Sequence, residues 1–156
     1  MVPKTEIIYN YDYAKRLYRG QENFEDVWQR IIGLGGDFEK IYGEYIIFLL
    51  ESVEKYTGFV WEERTPDFLP IYMADCETSF TPPLTLTVDK NPAAMLEDFI
   101  YQLVHQNMSF GFINEEERKK CYSLVTDRIM SDLGLKEKEN EEWDLTKKTI
   151  KEYLKK

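Results

Sequence analysis

The chain has 156 residues, 43% of them hydrophobic and 15% aromatic, enough for one domain to bury a core without staples. A formal net charge of −9 and a pI near 4.8 argue against nucleic acid or an anionic membrane as partner, since both need a basic face. The longest apolar run, Tyr45 to Leu50, falls far short of the roughly 18 residues of a membrane span. The first six residues, Met1 to Glu6, lack the apolar stretch of a signal peptide. Cys76 and Cys121 are far apart and form no CxxC motif, so free, buried thiols in a cytoplasmic protein are expected, with a disulfide between them left open.

Residues 5–19 open with Ile7, Ile8, Tyr9, Tyr11 and Tyr13, which reads as a short strand leading into a helix through Leu17 and Tyr18. From Glu22 the helical period is plain, with Phe24, Val27, Trp28, Ile31 and Ile32 on one side. Gly33-Leu34-Gly35-Gly36 then predicts a break or bend between two helices; no strand leads into it and the spacing is wrong for a nucleotide loop. Asp37 to Tyr56 forms an amphipathic helix whose core stripe runs through Phe38, Ile41, Tyr42, Tyr45, Ile46, Leu49, Leu50 and Val53. Gly58 ends it just past the last turn.

Residues 59–90 change character. Phe59-Val60-Trp61-Glu62 and Pro70 to Ala74 read as strands, with a turn at Thr65-Pro66-Asp67 between them. Leu84, Leu86 and Val88 alternate with Thr85 and Thr87, the pattern of a half-buried strand. Ser79-Phe80-Thr81-Pro82-Pro83 before it is an edge or entry segment, because proline cannot donate to a ladder. A helix follows, capped by Asn91 with Pro92 at its first position. Two more helices are expected: about Glu115 to Leu133, stopped by Gly134, and about Glu141 to Leu154 with a thin stripe of Trp143, Ile150 and Leu154. These elements place the chain in the α+β class, mainly helical, with one sheet of three to four strands in a single domain.

The Asn91-capped helix carries the sequence's one histidine, His105. Met95, Leu96, Phe99, Ile100, Leu103 and Val104 give it an apolar arc. Tyr101 and His105 stand one turn apart on the other side, with Asp98, and Gln102 lies at the boundary. Two ligands four residues apart on a helix can share one zinc ion, and a glutamate directly after the first can serve as base for a metal-bound water. Tyr101-Gln102-Leu103-Val104-His105 has the spacing of His-Glu-x-x-His with its first two residues replaced.

On these residues, and on the order supporting helix, short sheet, edge segment and signature helix, residues 38–130 resemble the zincin-like metallopeptidase fold in a minimal form. That resemblance implies metal-ligand positions at Tyr101 and His105 and a base position at Gln102. It implies a third ligand from the next helix, among Glu115, Glu116, Glu117, Cys121, Tyr122 and Asp127. It also implies a cleft whose rim is the strand before the signature helix, and which can pair with an extended peptide. Ser79, Phe80, Leu84, Tyr101, His105 and Tyr122 are the residues expected to line such a groove.

The departures decide the expected function. An amide is no base near neutral pH, so Gln102 cannot take a proton from water. A phenol with a pKa near ~10 is a poor zinc ligand, so Tyr101 does not replace histidine. No bound metal or other cofactor is expected; His105 and Glu117 are the nearest candidates for any metal. The expectation is a catalytically inactive, zincin-like module that binds a peptide or protein. The competing expectations are a helical interaction or assembly protein unrelated to zincins, and an active metal-dependent hydrolase with a non-standard site. Ser79, His105 and Asp98 could make a hydrolytic triad by type, but no nucleophile-elbow glycines surround Ser79. A homo-oligomer is left open by the aromatic surplus on the long helices.

Overall fold

The computed structural model describes residues 2–61, 67–77, 83–108 and 115–135. In chain order the elements are β1 (Lys4–Ile8), α1 (Tyr11–Leu17), α2 (Phe24–Tyr42), a 3-10 turn (Gly43–Tyr45), α3 (Ile46–Thr57), β2 (Phe68–Ala74), β3 (Leu84–Thr87), α4 (Pro92–Asn107) and α5 (Glu115–Asp132). The protein is therefore mainly helical with one three-stranded sheet among the described residues. No described helix is long and apolar enough to cross a membrane. The expected helix over 141–154, the segment Ser79–Pro82 and the turn residues Thr65 and Pro66 lie outside the described residues.

The strands lie in the order β1-β2-β3 and all pairs are parallel, with Ile7 opposite Ile71 and Met73 opposite Leu86. A parallel neighbour cannot be reached by a hairpin, and α1, α2 and α3 supply the crossover from β1 to β2. Leu69, Ile71, Met73, Leu84 and Leu86 are all buried. The expected half-exposure of β3 does not hold: Thr85 is buried as well. Tyr13 of α1 covers that face, its hydroxyl 2.6 Å from Thr85 Oγ1 and its ring 4.7 Å from that of Tyr72. Burial on both faces is the usual state of parallel strands.

α2 starts at Asn23, whose side chain accepts a hydrogen bond from the Glu25 amide, and runs unbroken through Gly33–Gly36. The expected break is absent for a packing reason. Val27, Ile31, Gly35 and Phe38 form one continuous buried line, and at Gly35 the missing side chain makes room for Tyr9. A Cβ there would stand 2.9 Å from the Tyr9 ring, which is held by a 2.5 Å hydrogen bond from its hydroxyl to Glu39. The bend comes instead at Gly43–Tyr45, between Tyr42 (φ −117°) and Tyr45 (φ −93°). It has a second consequence: Ile41 and Tyr45, expected in the core stripe, are each 48% exposed.

Phe59, Val60 and Trp61 form no strand. Their backbone is satisfied by side chains rather than by a ladder. The Phe59 amide donates to Thr57 Oγ1 at 3.2 Å, its carbonyl accepts from Asn107 Nδ2 at 3.0 Å, and the Trp61 amide reaches Glu54 at 3.3 Å. Gly58, at φ 77°, turns the chain out of α3 in the left-handed conformation that glycine tolerates. Trp61 then plugs the core, fully buried, with its indole N–H on the Leu50 carbonyl at 2.7 Å.

Candidate functional site

The candidate site is built on α4. Its start is fixed twice over: Asn91 Oδ1 accepts from the Ala93 amide at 3.0 Å, and Asp89 Oδ1 accepts from the Asn91 amide at 2.8 Å. Its end is fixed by Asn107, fully buried, which accepts from Thr57 Oγ1 at 2.5 Å while donating to Phe59. Between these anchors Met95, Leu96, Phe99, Ile100, Leu103 and Val104 fill the core, as the apolar arc requires. The side chains at 101, 102 and 105 are thus carried on a helix clamped at both ends.

α5 closes over the side of α4 that carries Tyr101 and His105. Tyr122 of α5 is 1% exposed and stands edge-on to both, with ring centroids 5.9 Å from Tyr101 and 5.2 Å from His105. Its hydroxyl donates to the Met108 carbonyl at 3.1 Å, which ties α5 to the end of α4. Gln102 lies inside rather than at a boundary: it is 2% exposed, and its amide donates to Asp98 Oδ2 at 2.9 Å.

Electrostatics follow from this burial. Burial lowers the pKa of His105 below its ordinary value, with Arg118 adding to the effect, so the neutral imidazole is favoured. Burial raises Tyr101, opposed by Arg118, and raises Tyr122 to about 12. The Cys121 thiol is raised to about 11, chiefly by burial and further by Glu117. A phenol held in its protonated form and an amide bonded to a carboxylate are not the donors and base that zinc hydrolysis uses. The residues at 101 and 102 therefore do not fit a zinc centre of that kind.

The residues expected in one groove fall into three places. Tyr101, His105 and Tyr122 converge. Leu84 sits in the sheet, 2% exposed. Ser79 and Phe80 lie outside the described residues. Among the expected third-ligand positions, Glu115, Glu116 and Glu117 are exposed in the first turn of α5, and Cys121 is buried. No group of three or more His, Cys, Asp or Glu side chains is arranged to hold a metal among the described residues.

One concavity was not foreseen. Ala94, Glu97, Asp98 and Tyr101 of α4 face Ser123, Thr126 and Asp127 of α5 across an open depression of about 450 Å³. A signal for it existed: small or polar side chains at 94, 97, 98 and 101, and again at 123, 126 and 127, each follow one helical row. Of its lining residues, Asp98, Tyr101 and Asp127 are also singled out by the sequence. No known protein family, curated protein or solved structure matches the chain.

Proposed function

We propose that the protein is a non-catalytic, zincin-like frame that binds a peptide or protein segment. The observation that carries the reading is the state of the three signature positions. Tyr101 and His105 are packed edge-on to Tyr122, and Gln102 is buried against Asp98. Side chains in hydrolytic use are aimed at a substrate; here Tyr101 and His105 join α4 to α5, and Gln102 is tied within α4. Two features support the binding role. β3 is an edge strand among the described residues and leads directly into α4. The depression between α4 and α5 offers carboxylates and hydroxyls, a lining suited to a basic side chain of an extended peptide.

The test pairs metal analysis with peptide selection. Untagged protein, purified without chelator, is expected to hold no stoichiometric zinc and to cleave no peptide. A displayed peptide library is expected to yield basic, extended binders whose affinity falls when Asp98 and Asp127 are both replaced by Asn. Stoichiometric zinc lost in His105→Ala, with peptide cleavage lost alongside it, would reverse the proposal.

A further inference from the structure

α4 and α5 run antiparallel where they meet. Asp98 of α4 shares the depression with Thr126 of α5, Tyr101 stands edge-on to Tyr122, and the charge of Arg118 acts on His105. Asp98, Tyr101 and His105 follow one helical row, and Arg118, Tyr122 and Thr126 follow another. The seam between the two rows has unlike ends. At one end Glu97, Asp98 and Asp127 line the depression, and no cation lines it with them. At the other end stands Arg118. Its guanidinium is 3.7 Å from Glu115, longer than a hydrogen bond. Its Nε is buried and has no hydrogen-bond partner among the described residues. The side chain as a whole is 35% exposed, so a ligand can reach it. Such an arginine keeps hydrogen-bonding capacity for an anion. Burial raises the pKa of Tyr101 and Tyr122 and lowers that of His105; Arg118 acts to lower all three, so its charge lies close to the three rings.

On the peptide-binding reading, which this step requires, we infer that the seam holds the last residue of a peptide and that this residue is basic. Its free carboxylate lies on Arg118, and its lysine or arginine side chain runs past Tyr101 to Asp98 and Asp127. The spacing fits. Asp98 and His105 are seven positions apart, about 10 Å along α4 at 1.5 Å per residue. An extended C-terminal lysine, with a hydrogen bond of about 3 Å at each end, spans that distance from carboxylate to ammonium. A basic residue inside a peptide brings one charge to the seam; a terminal one brings both signs at the separation the seam offers. Glu115 opposes the carboxylate, but it is 68% exposed and its charge is screened.

Fluorescence anisotropy on the full chain tests this with three fluorescein-labelled hexapeptides: Gly-Ser-Gly-Ser-Ala-Lys as the free acid, the same peptide as its C-terminal amide, and the free acid ending in alanine instead of lysine. The lysine acid is expected to bind about tenfold more tightly than either of the others. In Arg118→Gln the lysine acid and amide are expected to bind alike, with the melting temperature unchanged, and Arg118→Lys keeps part of the preference. Asp98→Asn combined with Asp127→Asn is expected to lose the preference for lysine over alanine and to keep that for acid over amide. His105 is the one histidine of the sequence, so its ring protons are a single reporter in NMR spectra, which the acid is expected to shift more than the amide. Acid and amide bound equally by the wild type overturn the C-terminal assignment and leave the peptide-binding reading standing. An acid preference that survives intact in Arg118→Gln overturns the assignment as well. No binding of any of the three peptides at millimolar concentration overturns both.

Discussion

At the scale of single residues, His105 shows how burial substitutes for chemistry. Its pKa lies below the ordinary 6.5 because the packed ring and Arg118 both disfavour the imidazolium. The unfolded chain therefore binds this proton more readily than the folded one. The stability that His105 contributes is complete above pH ~6.5 and is lost as pH falls through the lower folded value. In denaturant titrations the stability gap between wild type and His105→Gln is expected to be larger at pH 7 than at pH 5. A gap that does not change with pH would contradict a half-buried neutral imidazole. Asn107 offers a second test. It is fully buried and joins Thr57 to the Phe59 carbonyl, so Asn107→Leu removes the acceptor of the Thr57 hydroxyl and a donor to that carbonyl in the core. A loss of about 2–4 kcal/mol in unfolding free energy is expected, and Thr57→Val should not recover it, because the same hydroxyl accepts from the Phe59 amide. Cys121, with its thiol raised to about 11 and its side chain buried, should react far more slowly with iodoacetamide at pH 8 than a free thiol does. Apart from the burial of Cys121, these environments were not legible in the sequence. Residue type and helical face were, but which residue of α5 would meet α4 was not, because no periodicity encodes a tertiary partner.

At the scale of elements, α4 and α2 show opposite outcomes of sequence reading. α4 begins and ends where its cap and apolar arc require, since Asn91, Pro92 and the arc are all local signals. The glycines of α2 misled because glycine weakens a helix without forbidding it. The intrinsic penalty of about 1 kcal/mol per glycine is overridden by burial of Val27, Ile31 and Phe38. That account can be checked glycine by glycine. A Cβ on Gly33 or Gly36 would meet nothing within 4 Å, so Gly33→Ala and Gly36→Ala should each raise stability by roughly 0.5–1 kcal/mol. Gly35→Ala should instead destabilise, because the methyl group would press on the Tyr9 ring at 2.9 Å and disturb its bond to Glu39. Thermal melts of the three variants would show two rises and one fall. Three equal rises would mean that Tyr9 yields freely and that Gly35 is not needed for packing. The strand expected at Phe59–Trp61 failed for a different reason. A short apolar run signals burial in either a strand or a loop plug, and only the side-chain acceptors around it decide between them.

At the scale of the whole molecule, the α+β class and small sheet were within reach because they follow from the kinds of element present. The parallel order was not, because the direction of β2 beside β1 depends on how three intervening helices cross the sheet. Charge is the property of the whole chain that sequence gives directly, and it makes a last prediction. The net charge of −9 implies self-repulsion that salt should relieve. One feature opposes this: Arg30 bridges Glu22 at 2.9 Å and Asp75 at 2.5 Å, tying the segment before α2 to the end of β2. Salt weakens that clamp too. Its members are largely exposed, so each pair is screened by solvent and contributes little, whereas repulsion acts across the entire acidic surface. Melting temperature should therefore rise modestly as sodium chloride is raised. In Arg30→Met the rise should be steeper, because the clamp that salt would have weakened is already gone. A melting temperature that falls with salt in the wild type and stays flat in Arg30→Met would mean that the single clamp outweighs the acidic surface.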